Sequence, residues 1–242
     1  MTNRLFLMFI CLCLLAFETL ADVQTITLQT ADGLSIRADL STPDGSSERY
    51  PAVILIHQGG SNRHEWDSFV PMLLEQGDIV LAYDVRGHGE SDKVPNIWRL
   101  FNDPKQAPLD LRAAIDFLKQ RKDVDPAQVA VVGASIGGNL AALSTAEMGV
   151  RTAVAISAKT SAVYNLAGTD SLDLRSVFYI ASAGDQDGQR AIWARELYER
   201  TQEPRRLLIV PGSSAHGVHI FEDAPEIRMD IIQWLENTLQ GS

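Results

Sequence analysis

The chain has 242 residues, 45% of them hydrophobic and 21% charged, which suits one globular domain with a substantial buried core. A formal charge of −10 disfavours nucleic acid and anionic membrane surfaces as partners. Both cysteines, Cys11 and Cys13, lie in the N-terminal apolar stretch, so the rest of the chain offers neither a disulfide nor a thiolate nucleophile.

That stretch reads as a targeting segment. Arg4 supplies a positive start and Leu5 to Phe17 is an unbroken apolar run. As a helix the run would rise only about 20 Å, short of a bilayer's hydrocarbon core. Thr19 and Ala21 place small residues at −3 and −1 of a cleavage site, with Glu18 an imperfection in the pattern. The expectation is a signal peptide over residues 1–21 and export to the periplasm or beyond. A mature domain over 22–242 then has no stable membrane association; an uncleaved anchor is the alternative. No small residues precede either cysteine as a lipoprotein site would need.

In chain order, Thr25 to Leu28 and Ser35 to Leu40 form two strands around a Thr30-Ala31-Asp32-Gly33 turn. Buried, β-branched runs follow at Ala52 to His57, Ile79 to Tyr83, Val129 to Gly133, Ala153 to Ser157, Val177 to Ser182 and Leu207 to Val210. Helical faces lie between and after them. Trp66, Phe69, Met72 and Leu73 share one face, and Leu111, Ala114, Ile115 and Leu118 another. A helix begins near Ile136, one carries Ile192, Leu197 and Tyr198, and the last carries Ile227, Ile231, Trp234 and Leu235. Alternation of this kind makes one α/β domain, a mostly parallel sheet with helices on both sides.

The most informative segment runs from Val129 to Gly138. It passes from a buried strand through Gly133-Ala134-Ser135-Ile136-Gly137 straight into a helix. A sharp turn in that context lifts the Ser135 hydroxyl above the sheet edge, and the glycines remove side chains that would collide there. Because a helix starts at this point, the Ile136 N–H is free to face a developing oxyanion.

With this motif in this setting, the chain resembles the α/β-hydrolase superfamily along essentially all of residues 22–242. The resemblance implies an eight-stranded sheet and a triad in the order Ser, Asp or Glu, His. His216, in Val210-Pro211-Gly212-Ser213-Ser214-Ala215-His216-Gly217 after the last buried run, matches the family's base, with His219 as its competitor. The acid belongs in Ala183-Gly184-Asp185-Gln186-Asp187-Gly188. Counting from the strand favours Asp185, while counting back from the following helix favours Asp187; Asp185 is taken as the acid. His57-Gln58-Gly59-Gly60 is similar to the family's oxyanion loop, with Gly59 as the second donor beside Ile136 and Gln58 standing where the family has glycine. Asp84-Val85-Arg86-Gly87-His88-Gly89-Glu90-Ser91 matches a structural loop of the family. His57 is assigned a structural role.

No metal or cofactor is expected. His64-Glu65 is not part of His-Glu-x-x-His, and His88 has no second histidine at metal-ligand spacing. Residues 157–176 form only a short polar segment, which leaves no room for a helical cap and implies an open site. Trp98, Leu100 and Phe101 either line that site or cover the adjoining helix. The expected activity is hydrolysis of small-molecule carboxylic esters with small or medium acyl groups through an acyl-enzyme on Ser135, a carboxylesterase-like chemistry. An amidase or peptidase using the same triad, or a non-catalytic binding protein on this fold, are the alternatives.

Overall fold

Side-chain alternation along the central strands divides the interior into two cores. In β3 (Tyr50–Ile56), Ala52, Ile54 and Ile56 enter one, while Val53 and Leu55 enter the other. A run buried on both faces must be apolar at every position, which is why β3 lacks the polar alternation of an outer strand. The computed structural model describes residues 22–45 and 47–239, so the leader expected over 1–21 lies outside the described residues.

The sheet has eight strands in the order β1-β2-β4-β3-β5-β6-β7-β8. β1 (Asp22–Gln29) and β2 (Ser35–Thr42) form an antiparallel hairpin at one edge, closed where the Gly33 N–H donates to the Thr30 carbonyl at 2.9 Å. β2 also pairs antiparallel with β4 (Ile79–Tyr83), and the five pairings from β4–β3 to β7–β8 are parallel. β5 (Val124–Ala134), β6 (Thr152–Ile156), β7 (Arg175–Ser182) and β8 (Gln202–Val210) complete it.

Helices cover both faces, as the alternating pattern predicts. The first core holds buried residues of α2 (Ala107–Gln120), α3 (Ile136–Glu147), α4 (Thr160–Ala167) and α5 (Gln189–Glu199). The second holds those of α1 (Val70–Glu75), α6 (Ile220–Asp223) and α7 (Ile227–Leu239), with Trp66 and Phe69 beside them. The Trp66-to-Leu73 face is not one helix. Pro71 opens α1, and Arg63–Trp66 forms a separate 3₁₀ turn before it.

Two further expectations are corrected. The segment 157–176 contains α4, whose Val163 and Leu166, three apart, make a narrow buried stripe among polar residues. Gly168 ends the helix at φ 70°. α4 packs beside α3 and α5 as part of the body, and among the described residues no helical domain is inserted to roof the strand ends. Ile192 is not on the buried face of α5: it is half exposed, and Ala191, Ala194 and Leu197 face the core instead.

Candidate active site

Parallel register brings the strand ends level. Ile56 pairs with Gly133, Ala134 with Ile156, Ile156 with Ile180, and Ser182 with Val210. The segments that leave these ends carry His57, Ser135, Ser157, Asp185 and His216. The region beyond the carboxyl ends of parallel strands is where open α/β sheets bind ligands.

Ser135 has φ 54° and ψ −108°, a strained conformation for an L residue, between the end of β5 and the start of α3. Two backbone bonds hold it there: its N–H donates to the Ile156 carbonyl at 2.8 Å, and its carbonyl accepts the Asn139 N–H at 3.0 Å. The turn is crowded. A Cβ on Gly133 would collide with the Gly137 carbonyl, and one on Gly137 with the Ile56 carbonyl. As the first residue of α3, Ile136 has no intrahelical acceptor for its N–H.

The loops after β7 and β8 meet beside this turn. His216 Nδ1 lies 2.7 Å from Asp185 Oδ2, and Asp185 is only 3% exposed. Asp187 is exposed and makes no contact with the imidazole. His219 is exposed and pairs with Glu222, 3.0 Å away on the surface. The backbone of Gly217, at φ 59°, is pressed against Gln58; a Cβ there would strike the Gln58 side chain and lie 3.5 Å from Ala134 Cβ. The segment carrying His216 therefore touches both the residue preceding Ser135 and the loop after β3.

That loop is pinned from two sides. The buried His57 donates from Nδ1 to the Gln58 carbonyl at 2.7 Å and accepts the Val85 N–H on Nε2 at 2.9 Å. Burial pushes its imidazole down to about 4, the neutral state that an accepting nitrogen requires. The Gln58 N–H donates to Glu65 Oε1 at 3.0 Å. Gly59, exposed, keeps its N–H free of any protein acceptor among the described residues. Burial pushes the Glu65 carboxyl up, against hydrogen bonds from Ser61 and Gln58 and the fields of His219 and His216. Sequence reasoning missed Glu65, whose bond to the Gln58 N–H closes a loop of irregular backbone without a periodic pattern, and Ser157, whose contacts with Asp185 and Gly217 lie 28 and 60 residues away in the chain.

The Asp84-to-Ser91 segment is structural, as expected. Asp84 accepts the Arg63 backbone N–H at 2.7 Å and Arg63 Nη1 at 2.6 Å, while Arg63 also reaches Asp39 and Glu90. Arg86 spans Asp110 and Asp32, each at 2.7 Å. Of the three residues after β4, Leu100 is core and Trp98 is 74% exposed. Phe101 lies against Gly59, its Cζ 3.4 Å from where a Cβ would stand, and the Trp98 ring sits 6.3 Å from it. Among the described residues no group of three His, Cys, Asp or Glu is placed to hold a metal ion.

Fold and site geometry together define a hydrolase architecture. A family model for the alpha/beta hydrolase fold matches residues 51–208, and the chain belongs to that family. Among curated relatives, the uncharacterized protein YfhR of Salmonella typhi is 31% identical over 123 residues, which are 50% of this chain and 40% of YfhR. The chain thus matches well under two thirds of that relative's length. Among solved structures, the Pyrococcus furiosus esterase Pf2001 superposes with a TM-score of 0.73 at 20% identity, covering 90% of this chain and 94% of that one. The dienelactone hydrolase of Anabaena variabilis gives 0.69 at 19% identity, covering 91% and 99%. At these identities the structures establish a common fold.

Proposed function

We propose that this hydrolase is a serine esterase. Ser135 Oγ attacks the ester carbonyl while His216 takes its proton, and Asp185 holds the imidazole and supports the cation that forms. The N–H groups of Ile136 and Gly59 receive the oxyanion, each worth about 3 kcal/mol in the transition state. His216 then returns the proton to the departing alcohol, and water releases the acyl group by the same path. The observation that carries this reading is the 2.7 Å contact of His216 Nδ1 with Asp185 beside the strained turn at Ser135. The esterase Pf2001, built on the same fold, supports it.

Small or medium acyl groups fit best, because no inserted domain among the described residues builds a long tunnel above the strand ends. Phe101 beside Gly59, with Trp98 on its outer side, supplies an apolar wall for the acyl or alcohol group. No helix among the described residues is long and apolar enough to cross a membrane. We place the mature enzyme outside the cytoplasm after cleavage behind Ala21, with Asp22 as its first residue; the intact mass of the exported protein checks this.

The test is labelling by a fluorophosphonate probe. Wild type should label and Ser135→Ala should not; equal labelling of both removes Ser135 from the chemistry. Matched aryl esters and anilides then separate esterase from amidase action, with ester turnover expected to dominate.

A further inference from the structure

Ser157 takes no part in the reaction just described, yet it is fully buried and held at every polar group. We infer that Ser157 is a positioning residue whose hydroxyl orients Asp185 and anchors the segment that carries His216, an inference that rests on the triad reading.

Four bonds carry it. The Ser157 hydroxyl donates to Asp185 Oδ2 at 3.1 Å and accepts the Gly217 N–H at 3.0 Å. The Ser157 N–H donates to the Ile180 carbonyl at 2.8 Å, and its carbonyl accepts Arg190 Nη1 at 2.6 Å. The hydroxyl's donor and an acceptor lone pair are thus both used, one on the acid and one on the residue after the base. Asp185 Oδ2 receives His216 and Ser157 together, so the carboxylate cannot turn without losing one of them.

The backbone makes the same point from another direction. Ser157 sits at φ 52°, in the left-handed region that favours glycine. Glycine would relieve the strain but remove the hydroxyl. Strain retained at a buried side chain that bonds the proposed acid argues that the side chain is in use.

Full-length Ser157→Ala and Ser157→Gly, assayed by fluorophosphonate labelling rate and 4-nitrophenyl butyrate turnover, test the inference. Both should lose roughly 10- to 100-fold in labelling rate and kcat with little change in KM, the cost of one hydrogen bond to a charged group. The glycine variant should nevertheless melt at a higher temperature than the alanine variant, because it accepts the backbone conformation. In an Asp185→Asn background, adding Ser157→Ala should cost less than about twofold, since the two residues act as one unit. The proton NMR resonance of the His216–Asp185 bridge should move in Ser157→Ala. Wild-type kinetics in both variants, impairment of alanine but not glycine, full additivity with Asp185→Asn, or an unmoved resonance each overturn the inference. Failure of the triad reading is told apart by the controls, in which Ser135→Ala would label like wild type.

Discussion

Asp185 and Asp187 share one loop and meet opposite surroundings. Asp185 is buried with two donors on Oδ2, while Asp187 is exposed at φ 55°. Asp185→Asn should lower kcat by roughly 10³- to 10⁴-fold, by analogy with the triad acid of serine proteases, because the imidazole loses its orienting acceptor. Asp187→Asn should stay within about twofold, as surface changes do. Equal losses in the two variants would sink the assignment. Trp98 offers a second test at this scale. It contributes little to the core, so Trp98→Ala should leave the melting temperature unchanged yet raise KM for aryl esters severalfold, through the loss of about 1 kcal/mol of aromatic contact. The positions of Ser135 at the turn after β5 and of His216 after the last strand were legible in the sequence because glycines and strands bracket them. Which of the two carboxylates meets His216 was less so, since a loop carries no periodic register; Asp185 is the one that His216 and Ser157 contact from elsewhere in the chain.

At the level of elements, α3 sits close to the sheet because Gly137 lets it. A Cβ there would meet the carbonyl of Ile56 in β3, main chain that cannot swing aside. Gly137→Ala should therefore lower stability by roughly 3 kcal/mol in urea unfolding and abolish labelling of Ser135, since helix and turn must move together. A variant that keeps both stability and labelling would show that α3 has slack. The same strands and helices account for what could be read beforehand. Continuous apolar runs announced the parallel strands, and wide apolar faces announced α2 and α7. α4 stayed hidden because its buried apolar residues, Ala162, Val163 and Leu166, make too short a stripe to stand out from a polar stretch. The 3₁₀ turn at Arg63–Trp66 was read as the start of a helix because its aromatic residue continues the spacing of the next one.

For the whole molecule, two buried groups oppose each other as pH changes. Burial, aided by the nearby Glu236 charge, raises Asp78 from 3.8 to about 7, while burial lowers His57 from 6.5 to about 4. Between those limits the folded chain holds one extra proton at Asp78, and the unfolded chain holds one extra at His57. Asp78 favours folding below its unfolded value and loses that contribution as pH rises towards 7. His57 favours folding above 6.5 and loses that contribution as pH falls towards 4. Their slopes have opposite signs. Asp78→Asn removes the first, so the stability of the variant relative to wild type should fall by about 1.4 kcal/mol per pH unit from pH 6 down to 4.5. At pH 8 the variant should instead be more stable than wild type by roughly 2–4 kcal/mol. Denaturant titrations at four pH values check both signs, and parallel curves for the two proteins would refute the account.

The placement of β8 has a practical outcome for how the proposed activity would be lost on heating. The strand has a single sheet neighbour and only partial cover, yet the loop after it carries His216 while Ser135, the proposed nucleophile, stands at the centre of the sheet. Fraying along that flank would separate the two halves of the machinery while most of the interior stays closed. Heating should extinguish turnover several degrees before the far-ultraviolet signal falls, and a graft that clamps the flank should prolong working life without altering the chemistry.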